Sequence, residues 1–280
     1  MITIDTHQHF WEINRFDYSW MSEESPLKND RIPNNLKPLI DKAKVSYTVT
    51  VQAHQSIEET KWLLELAKKY EFIAGVVGWV DLSDPKIGRI LDELQKNNYF
   101  KGVRHLWHDE KNEKWILNSG VIAGLKELAE RNLTFDFLAR PKHIKYIPKV
   151  LEIVPNLKSV IDHIAKPDIA NKKIEPWLSD LRKVANIDTV NIKLSGMVTE
   201  ADHNNWDIDD IKPYVHHVLS MFGYDRIMIG SDWPVCTLAA QYNNVIETAR
   251  DLIDNLDKDD QEKILGKTAI KFYDLEIPNH

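Results

Sequence analysis

The sequence contains only one cysteine, Cys236, among its 280 residues. A single cysteine excludes an internal disulfide framework and is typical of a reducing compartment. The first residues do not show the charged and apolar regions of a secretory leader, and no apolar run is long enough to span a bilayer. The sequence therefore predicts a cytoplasmic protein without a membrane partner.

The sequence also has no excess of positively charged residues. Lys and Arg together number 36 against 43 Asp and Glu, which gives a net charge of −7. A mildly acidic protein is a poor match for the phosphates of nucleic acids and of anionic membranes. The composition therefore argues against both as partners.

Gly/Ser-rich linkers, low-complexity tracts and short-period repeats are absent from the sequence, so nothing in it marks a domain boundary. Hydrophobic residues make up 43% of the chain, which is enough for a sizeable core. We therefore predict one domain that spans residues 1–280.

Short apolar segments rich in β-branched residues alternate with longer segments of helical periodicity. The eight predicted strands are residues 2–8, 47–53, 73–79, 100–106, 133–139, 158–164, 189–195 and 226–232. Helices are predicted near 34–44, 56–70, 84–97, 115–131, 143–153, 174–186 and 207–221, and after the last strand near 240–254 and 258–272. This alternation predicts an α/β fold, a (β/α)8 TIM barrel with additional C-terminal helices. A doubly wound open sheet is the alternative, but it usually has fewer strands, and the GxGxxG turn common in that fold does not occur here.

The second predicted helix begins with a recognisable local signal. Ser56 precedes it and Glu59 follows three residues later, which is the spacing of a capping box. In that motif each side chain accepts a hydrogen bond from the backbone N–H of the other residue. We expect both bonds to form.

Polar and ionisable side chains follow nearly every predicted strand, where a barrel carries its active site. A barrel packed only for stability would have Val, Ile and Leu there, because burial of so many unpaired polar groups costs too much free energy. The candidates, in chain order, are His7, His9, Gln52, His54, Arg104, His105, Asp136, Arg140, Asp162, His163, Lys193, Ser195, Ser231 and Asp232.

The first strand ends in His7 and His9, which the two-residue period of a strand places on one face. Two imidazoles on one strand face can bind one metal ion. Such a pair alone is more often surface or hydrogen-bonded histidine. His163 and Asp232 are expected at the same rim of the barrel, and this combination makes a metal site that includes His7, His9 and Asp232 a far more specific interpretation.

Three motifs resemble a known family: DTHQHFW on the first strand, IDHIAKP on the sixth and IGSDWPV on the eighth. They are similar to the amidohydrolase superfamily, and within it to the amidohydrolase-2 group of sugar-lactone hydrolases, of the fuconolactonase and rhamnonolactonase type. The resemblance covers about residues 2–273. It implies that His7 and His9 face the metal position and that Asp232 activates water. It also implies that His163 polarises the substrate carbonyl or helps to hold the metal.

The middle strands depart from the pattern of the metal-binding members, which usually bring a His or Lys from these strands to the ion. The fifth strand ends without His, and the fourth has Arg104 and His105 in place of Lys. This departure argues against a two-metal site and leaves open whether even one divalent ion, zinc or manganese, is required. Without an ion, Arg104 or His105 would take over the polarisation of the carbonyl.

The resemblance implies a hydrolase that opens an aldonolactone such as L-fuconolactone or L-rhamnonolactone, with Asp232, His163 and Arg104 as catalytic residues. Tryptophan faces suit the apolar side of a sugar ring, and polar side chains suit its hydroxyls. The predicted substrate contacts are Trp11, Gln52, His54, His105, Trp107, Lys193, Ser195 and Trp233. Three alternatives stay open: loop packing for the tryptophans, structural hydrogen bonds for His54 and His105, and a salt bridge to Asp136 for Lys193.

Two other functions compete with this interpretation. A metal-dependent decarboxylase, or a hydrolase of amides or other carboxylic esters, would use the same scaffold but would need a firm metal site. A non-catalytic sugar-acid sensor is the third hypothesis, and the intact set of His7, His9, His163 and Asp232 argues against it. The oligomeric state is left open, with a homo-oligomer among the alternatives. The remaining histidines on predicted helices, in a late loop or at the terminus are expected to be solvated: His143, His203, His216, His217 and His280.

Overall fold

A computed structural model describes residues 1–278 of the chain. Residues 279 and 280, the last two of the predicted domain, lie outside the described residues, and so does the expectation for His280. None of the helices in the described part of the chain combines the length and apolar composition needed to cross a lipid bilayer.

Eight parallel strands form one sheet in which each strand pairs with the next along the chain. The strands are Ile4–Gln8 (β1), Tyr47–Val51 (β2), Ile73–Gly78 (β3), Phe100–His105 (β4), Thr134–Phe137 (β5), Lys158–Ile161 (β6), Val190–Leu194 (β7) and Ile227–Ile229 (β8). This order, with helices between the strands, confirms the predicted (β/α)8 barrel.

Contacts between β1 and the end of β8 bring the two edges of the sheet together. The Thr6 hydroxyl donates to the carbonyl oxygen of Ile229 at 2.6 Å. The backbone N–H of Asp232 donates to the oxygen of His7, and that of His9 donates to the oxygen of Trp233, both at 2.7 Å. This closure places residues at the ends of the first and the last strand side by side.

Eleven α-helices surround the sheet in the described residues. They are Pro33–Lys42 (α1), Ile57–Lys69 (α2), Ile87–Leu94 (α3), Ser119–Glu130 (α4), Pro141–Ile144 (α5), Ile147–Ile153 (α6), Trp177–Ala185 (α7), Ile208–Phe222 (α8), Tyr242–Asp251 (α9), Lys258–Glu262 (α10) and Thr268–Tyr273 (α11). The single helix predicted at 143–153 is two short helices, because Pro148 lacks the N–H that would continue a helix and is tolerated only in a first turn. α10 and α11 are joined by a π-helical turn, Lys263–Lys267.

The last helix packs against the strands and reaches the barrel interior. Phe272 and Tyr273 of α11 form one apolar cluster with strand residues that include Ile4 and Val49. The Tyr273 hydroxyl also donates to Oδ2 of Asp136 on β5, at 3.0 Å. The C-terminal helices therefore contribute to the barrel core.

The expectation of a solvated side chain is wrong for His143. It is fully buried in α5, where its Nδ1 accepts the backbone N–H of Arg140 at 3.0 Å. Its ring centroid lies 4.7 Å from that of Trp107. Prediction from helical position alone could not identify this cap, because the contact with Trp107 joins segments distant in the sequence.

Only half of the predicted capping box forms at the start of α2. The Ser56 hydroxyl accepts the backbone N–H of Glu59 at 3.0 Å, as expected. The Glu59 carboxylate instead turns towards the loop after β2, where one oxygen accepts the backbone N–H groups of Ala53 and His54 at 3.0 and 2.9 Å. Burial raises the pKa of Glu59 from 4.5 to about 8. This loop is therefore held by an acid that resists ionisation.

Glu59→Gln is expected to reduce the loss of stability at alkaline pH. The raised pKa of Glu59 means that the folded state keeps a proton which the unfolded chain releases, so wild-type stability falls as the pH rises from about 4.5 to about 8. Glutamine keeps an acceptor for both N–H groups and does not ionise. We expect the free energy of unfolding of the variant to rise relative to that of the wild type by about 1.4 kcal/mol per pH unit across this range.

Urea unfolding at pH 5 and pH 8 measures this difference. The exposed neighbour Glu58, replaced by Gln, is the matched control and should show no such pH dependence. Equal shifts in the two variants would contradict the role given to Glu59.

Candidate active site

A cavity of about 180 Å³ opens beyond the carboxyl ends of the strands. Its wall includes four residues singled out from the sequence: His9, Arg104, His163 and Asp232. They follow or end β1, β4, β6 and β8. His7 is fully buried, with its ring centroid 4.9 Å from that of His9 and 4.3 Å from that of His163. The barrel therefore brings together groups from four separate strand ends.

The carboxylate of Asp232 is surrounded by three imidazoles. Its Oδ1 lies 3.3 Å from Nε2 of His9, 3.8 Å from Nε2 of His7 and 3.9 Å from Nε2 of His163. Burial alone would raise the pKa of Asp232, but the adjacent His163 and the contact with His9 lower it well below its usual range. Asp232 is therefore ionised at neutral pH, as a general base or a metal ligand must be.

The hydrogen bonds of His7 and His9 determine which ring nitrogen carries the proton. Nδ1 of His9 donates to the carbonyl oxygen of Val51 at 2.7 Å. Nδ1 of His7 lies 3.2 Å from Oδ1 of Asp162, while Nε2 lies 3.2 Å from a guanidinium N–H of Arg104. Burial lowers the pKa of both histidines, which keeps the rings neutral. The contacts of Nδ1 with Val51 and Asp162 favour Nε2 as the unprotonated nitrogen of both rings, and in His7 this nitrogen faces Arg104.

Nδ1 of His163 faces a hydroxyl, which favours the tautomer with the proton on Nε2. The Ser195 hydroxyl accepts the backbone N–H of His163 at 3.2 Å and lies 2.9 Å from its Nδ1. If the hydroxyl proton goes to Nδ1, the ring proton is on Nε2. Burial lowers the pKa of His163 to about 3, so the ring is neutral and its Nε2–H is a donor at the cavity wall. An added Cβ at Gly196, whose φ is 60°, would lie 2.5 Å from Nδ1 of His163, so this ring position requires glycine.

A buried network of charges lies behind the cavity. Arg104 donates to Oε1 of Gln52 at 2.9 Å and lies 3.5 Å from Oδ2 of Asp162. Lys193 is fully buried, with Nζ 2.6 Å from Asp136 and 3.0 Å from Asp162. The attraction of the His7 ring, of Lys193 and of Arg104 overcomes burial and holds the pKa of Asp162 well below its usual range. Among the alternatives left open for Lys193, the structure has the salt bridge to Asp136.

The structure places the other predicted substrate contacts away from the cavity wall. Trp11, Trp107 and Trp233 are buried and pack in apolar clusters, so the expectation that their faces meet a sugar ring needs correction. None of the three lines the cavity within residues 1–278.

His54 and His105, for which structural hydrogen bonds were the alternative to substrate contact, have partners within the protein. The ring of His54 stacks on Phe16 at 5.9 Å between centroids. His105 stacks on Trp115 at 3.8 Å, and its Nε2 lies 2.8 Å from a carboxylate oxygen of Glu110. Gln52 and Ser195 contact Arg104 and His163, respectively, as described above.

Sequence reasoning missed four polar or aromatic residues of the cavity wall, namely Trp20, His108, Asp109 and Lys166. Trp20 lies in the long segment between β1 and α1, and His108 and Asp109 lie in the segment after β4. Lys166 was visible in the IDHIAKP motif, two residues after the end of the predicted sixth strand. Its place three residues after His163 is the signal that could have identified it.

The side chains around Asp232 fit one divalent ion. Nitrogen or oxygen atoms of His7, His9 and Asp232 all lie within 4.8 Å of one another. Two imidazoles and one carboxylate form a donor set typical of zinc. The Val51 carbonyl and Asp162 orient the two rings through their other nitrogens. A guanidinium N–H of Arg104 lies against the same Nε2 of His7, at 3.2 Å.

The chain is similar to several known proteins. The chain matches the amidohydrolase family over residues 4–275. It is 33% identical to an L-fucono-1,5-lactonase of Burkholderia ambifaria and 32% identical to one of Burkholderia multivorans, in each case over 99% of this chain and 97% of the relative. A crystal structure of an amidohydrolase from Burkholderia multivorans with bound zinc superposes with a TM-score of 0.94 at 31% identity, over 99% of this chain and 100% of that one. The chain is therefore an enzyme that belongs to the amidohydrolase family.

Proposed function

We propose that this enzyme hydrolyses the ester bond of a sugar-acid lactone, such as L-fuconolactone or L-rhamnonolactone, to give the free acid. The observation that carries the proposal is the ionised Asp232 at the cavity wall, beside the Nε2–H of His163 and the charge of Arg104. An ester needs a base for water and donors for the developing oxyanion, and this wall supplies both. The relatives named L-fucono-1,5-lactonase support the choice of lactone.

Asp232 accepts a proton from the water that attacks the carbonyl carbon of the lactone. The negative charge that develops on the carbonyl oxygen is stabilised by the Nε2–H of His163 and by the guanidinium of Arg104. The bond between the carbonyl carbon and the ring oxygen then breaks. The ring oxygen leaves as a hydroxyl with the proton that Asp232 had taken, and the oxygen of the water stays in the new carboxyl group.

His7, His9 and Asp232 would hold a single zinc or manganese ion. When bound, such an ion supplies a Lewis acid that polarises a carbonyl oxygen. Two contacts of the site do not depend on the ion. The hydrogen bond with Ser195 orients the ring of His163, and the ion pair with Asp162 holds Arg104.

Proton release from a panel of sugar lactones tests the proposal. We expect hydrolysis of hydroxylated lactones by the purified enzyme at a rate that rises in proportion to enzyme concentration. Chelator-treated enzyme is compared with enzyme supplied with zinc or manganese. Unchanged rates after chelation assign the electrophilic role to His163 and Arg104, and rates that require the metal assign ligand roles to His7 and His9.

Absence of hydrolysis with every lactone would contradict the proposal. Carboxylated aromatic acids and simple amides are then the substrates to examine, because a decarboxylase or an amide hydrolase would use the same metal-binding residues.

A further inference from the structure

Two side chains on the cavity wall that the proposed chemistry does not use offer an aromatic face and a cation. Trp20 and Lys166 both line the cavity that contains Asp232 and His163. The other polar pair on the wall is His108 and Asp109, in which Nε2 of His108 lies 3.0 Å from Oδ1 of Asp109 and Nδ1 of His108 has no partner among the described residues. Trp20 offers an indole face and Lys166 an ammonium for contact with the body of a substrate.

Trp20 is fixed in place although it is exposed. Its relative exposure is 39%, and it is the most exposed of the nine tryptophans in the chain, all of which are described. Its Nε1 donates to the carbonyl oxygen of Ala53 at 2.9 Å, and its ring meets that of Trp11 edge to face at 5.5 Å. An immobilised aromatic face on a cavity wall offers apolar contact to the C–H groups of a ring.

Lys166 is held beside the reacting groups. Its backbone N–H donates to the oxygen of His163 at 2.8 Å, and its Nζ lies 2.5 Å from Oε1 of Glu200. The side chain is only 13% exposed, so the ammonium has little access to bulk water. An ammonium has three donors, and the pair with Glu200 uses one of them. The remaining N–H groups suit oxygen atoms of a bound ligand.

Four further residues of this wall, Ala53, Leu106, Leu138 and Val235, contribute only apolar side chains. A ligand placed with its carbonyl at Asp232 and His163 therefore meets an aromatic face at Trp20 and a cationic donor at Lys166.

We propose that Trp20 and Lys166 bind the body of the substrate, with Trp20 against the C–H face of a polyhydroxylated ring and Lys166 on the ring hydroxyls, where it determines the specificity for them. This inference rests on the proposed lactonase function and adds to it two residues that bind the substrate outside its reacting carbonyl. Lys166 distinguishes a hydroxylated lactone from a plain one, and Trp20 contributes to the binding of either ring.

The test for Lys166 is the ratio of kcat/KM for D-glucono-1,5-lactone to that for δ-valerolactone, which lacks hydroxyls. Lys166→Met is expected to lower this ratio ten- to hundredfold, since a hydrogen bond to a charged group contributes about 1.5–3 kcal/mol. Lys172→Met is the matched control. Lys172 also has a backbone in the left-handed region and an acidic partner, but its side chain is largely exposed and does not line the cavity. Lys166→Gln serves as the second variant if Lys166→Met does not fold.

The test for Trp20 separates KM from kcat. Trp20→Ala is expected to raise KM for both lactones about tenfold with kcat nearly unchanged, and Trp20→Phe to restore most of the binding. Trp206→Ala is the matched control, because Trp206 is also partly exposed and donates to a backbone carbonyl, that of Ala239, but does not line the cavity.

The outcomes distinguish this inference from the function on which it rests. A wild-type enzyme that opens no lactone overturns both. An active wild type whose substrate ratio is unchanged in Lys166→Met, or whose KM responds equally to Trp20→Ala and Trp206→Ala, overturns the inference alone. A change in the ratio for Lys166→Met and not for Lys172→Met, together with rescue by Trp20→Phe, supports it.

Discussion

Asp232→Asn is expected to lower kcat for lactone hydrolysis by about 100- to 10,000-fold, the usual contribution of a general base. The amide has nearly the shape of the carboxylate but accepts no proton from water. The backbone of residue 232 should keep its place, because its N–H donates to the oxygen of His7 at 2.7 Å and its own oxygen accepts from Cys236 at 2.8 Å. The loss should therefore appear in kcat, with KM changed only a few-fold.

Steady-state rates and thermal unfolding of the same preparations check this prediction. Asp41→Asn on the exposed side of α1 is the control, and it should have wild-type rates. If Asp232→Asn kept wild-type hydrolysis, the base would have to be another residue. If it kept sugar-acid binding and the wild type had no hydrolytic activity, the sensor hypothesis would be favoured.

The barrel could be predicted because its strands and helices repeat two different periods, and these are local properties of the sequence. The residues at which the strands end were harder to predict. The sequence pattern predicts that the sixth strand continues through residues 162–164, and a β-branched residue such as Ile164 favours a strand. In the structure His163 and Ile164 have φ values of 54° and 46°. Ser195 bonds the backbone N–H of His163, and the indole of Trp177 donates to the oxygen of Ile164 at 2.6 Å. These contacts join distant segments and override the local preference.

The same distinction applies to the site. His9, Arg104 and Asp232 could be placed at the cavity because a barrel rule relates strand ends to the active site. Trp20 could not, because it lies in an irregular segment of more than twenty residues between β1 and α1, whose path follows from apolar packing around Trp11. Trp11, Trp107 and Trp233 follow predicted strand ends, so the sequence suggests them as substrate contacts, but their large apolar surfaces are buried in the core.

Lys193→Met is expected to destabilise the whole barrel. Lys193 lies fully buried between the carboxylates of Asp136 and Asp162, at 2.6 and 3.0 Å. Methionine fills similar space but leaves two buried carboxylates without the cation between them. Removal of one partner from a buried ion pair costs about 3–5 kcal/mol. At a few degrees per kcal/mol, we expect the melting temperature to fall by roughly 10 °C.

Scanning calorimetry of two further variants tests whether charge is the cause. Lys193→Met combined with Asp136→Asn should recover part of the lost stability, because it removes one of the uncompensated charges and the Tyr273 hydroxyl still has an oxygen to bond. Lys267→Met on the surface, where the ammonium pairs with Asp259 and Glu262, should melt like the wild type. Equal melting of Lys193→Met and wild type would contradict the assignment of this network as a stabilising element.

The activity of Lys193→Met carries separate information, because Nζ of Lys193 also lies 3.2 Å from Nδ1 of His7. Nδ1 of His7 keeps Asp162 as its partner in the variant, at 3.2 Å in the wild type, so its Nε2 should keep its lone pair. Below the melting transition we therefore expect kcat to fall far less than in Asp232→Asn. A loss of kcat as large as that of Asp232→Asn, in protein that is still folded, would instead mean that the buried lysine takes part in the reaction through His7.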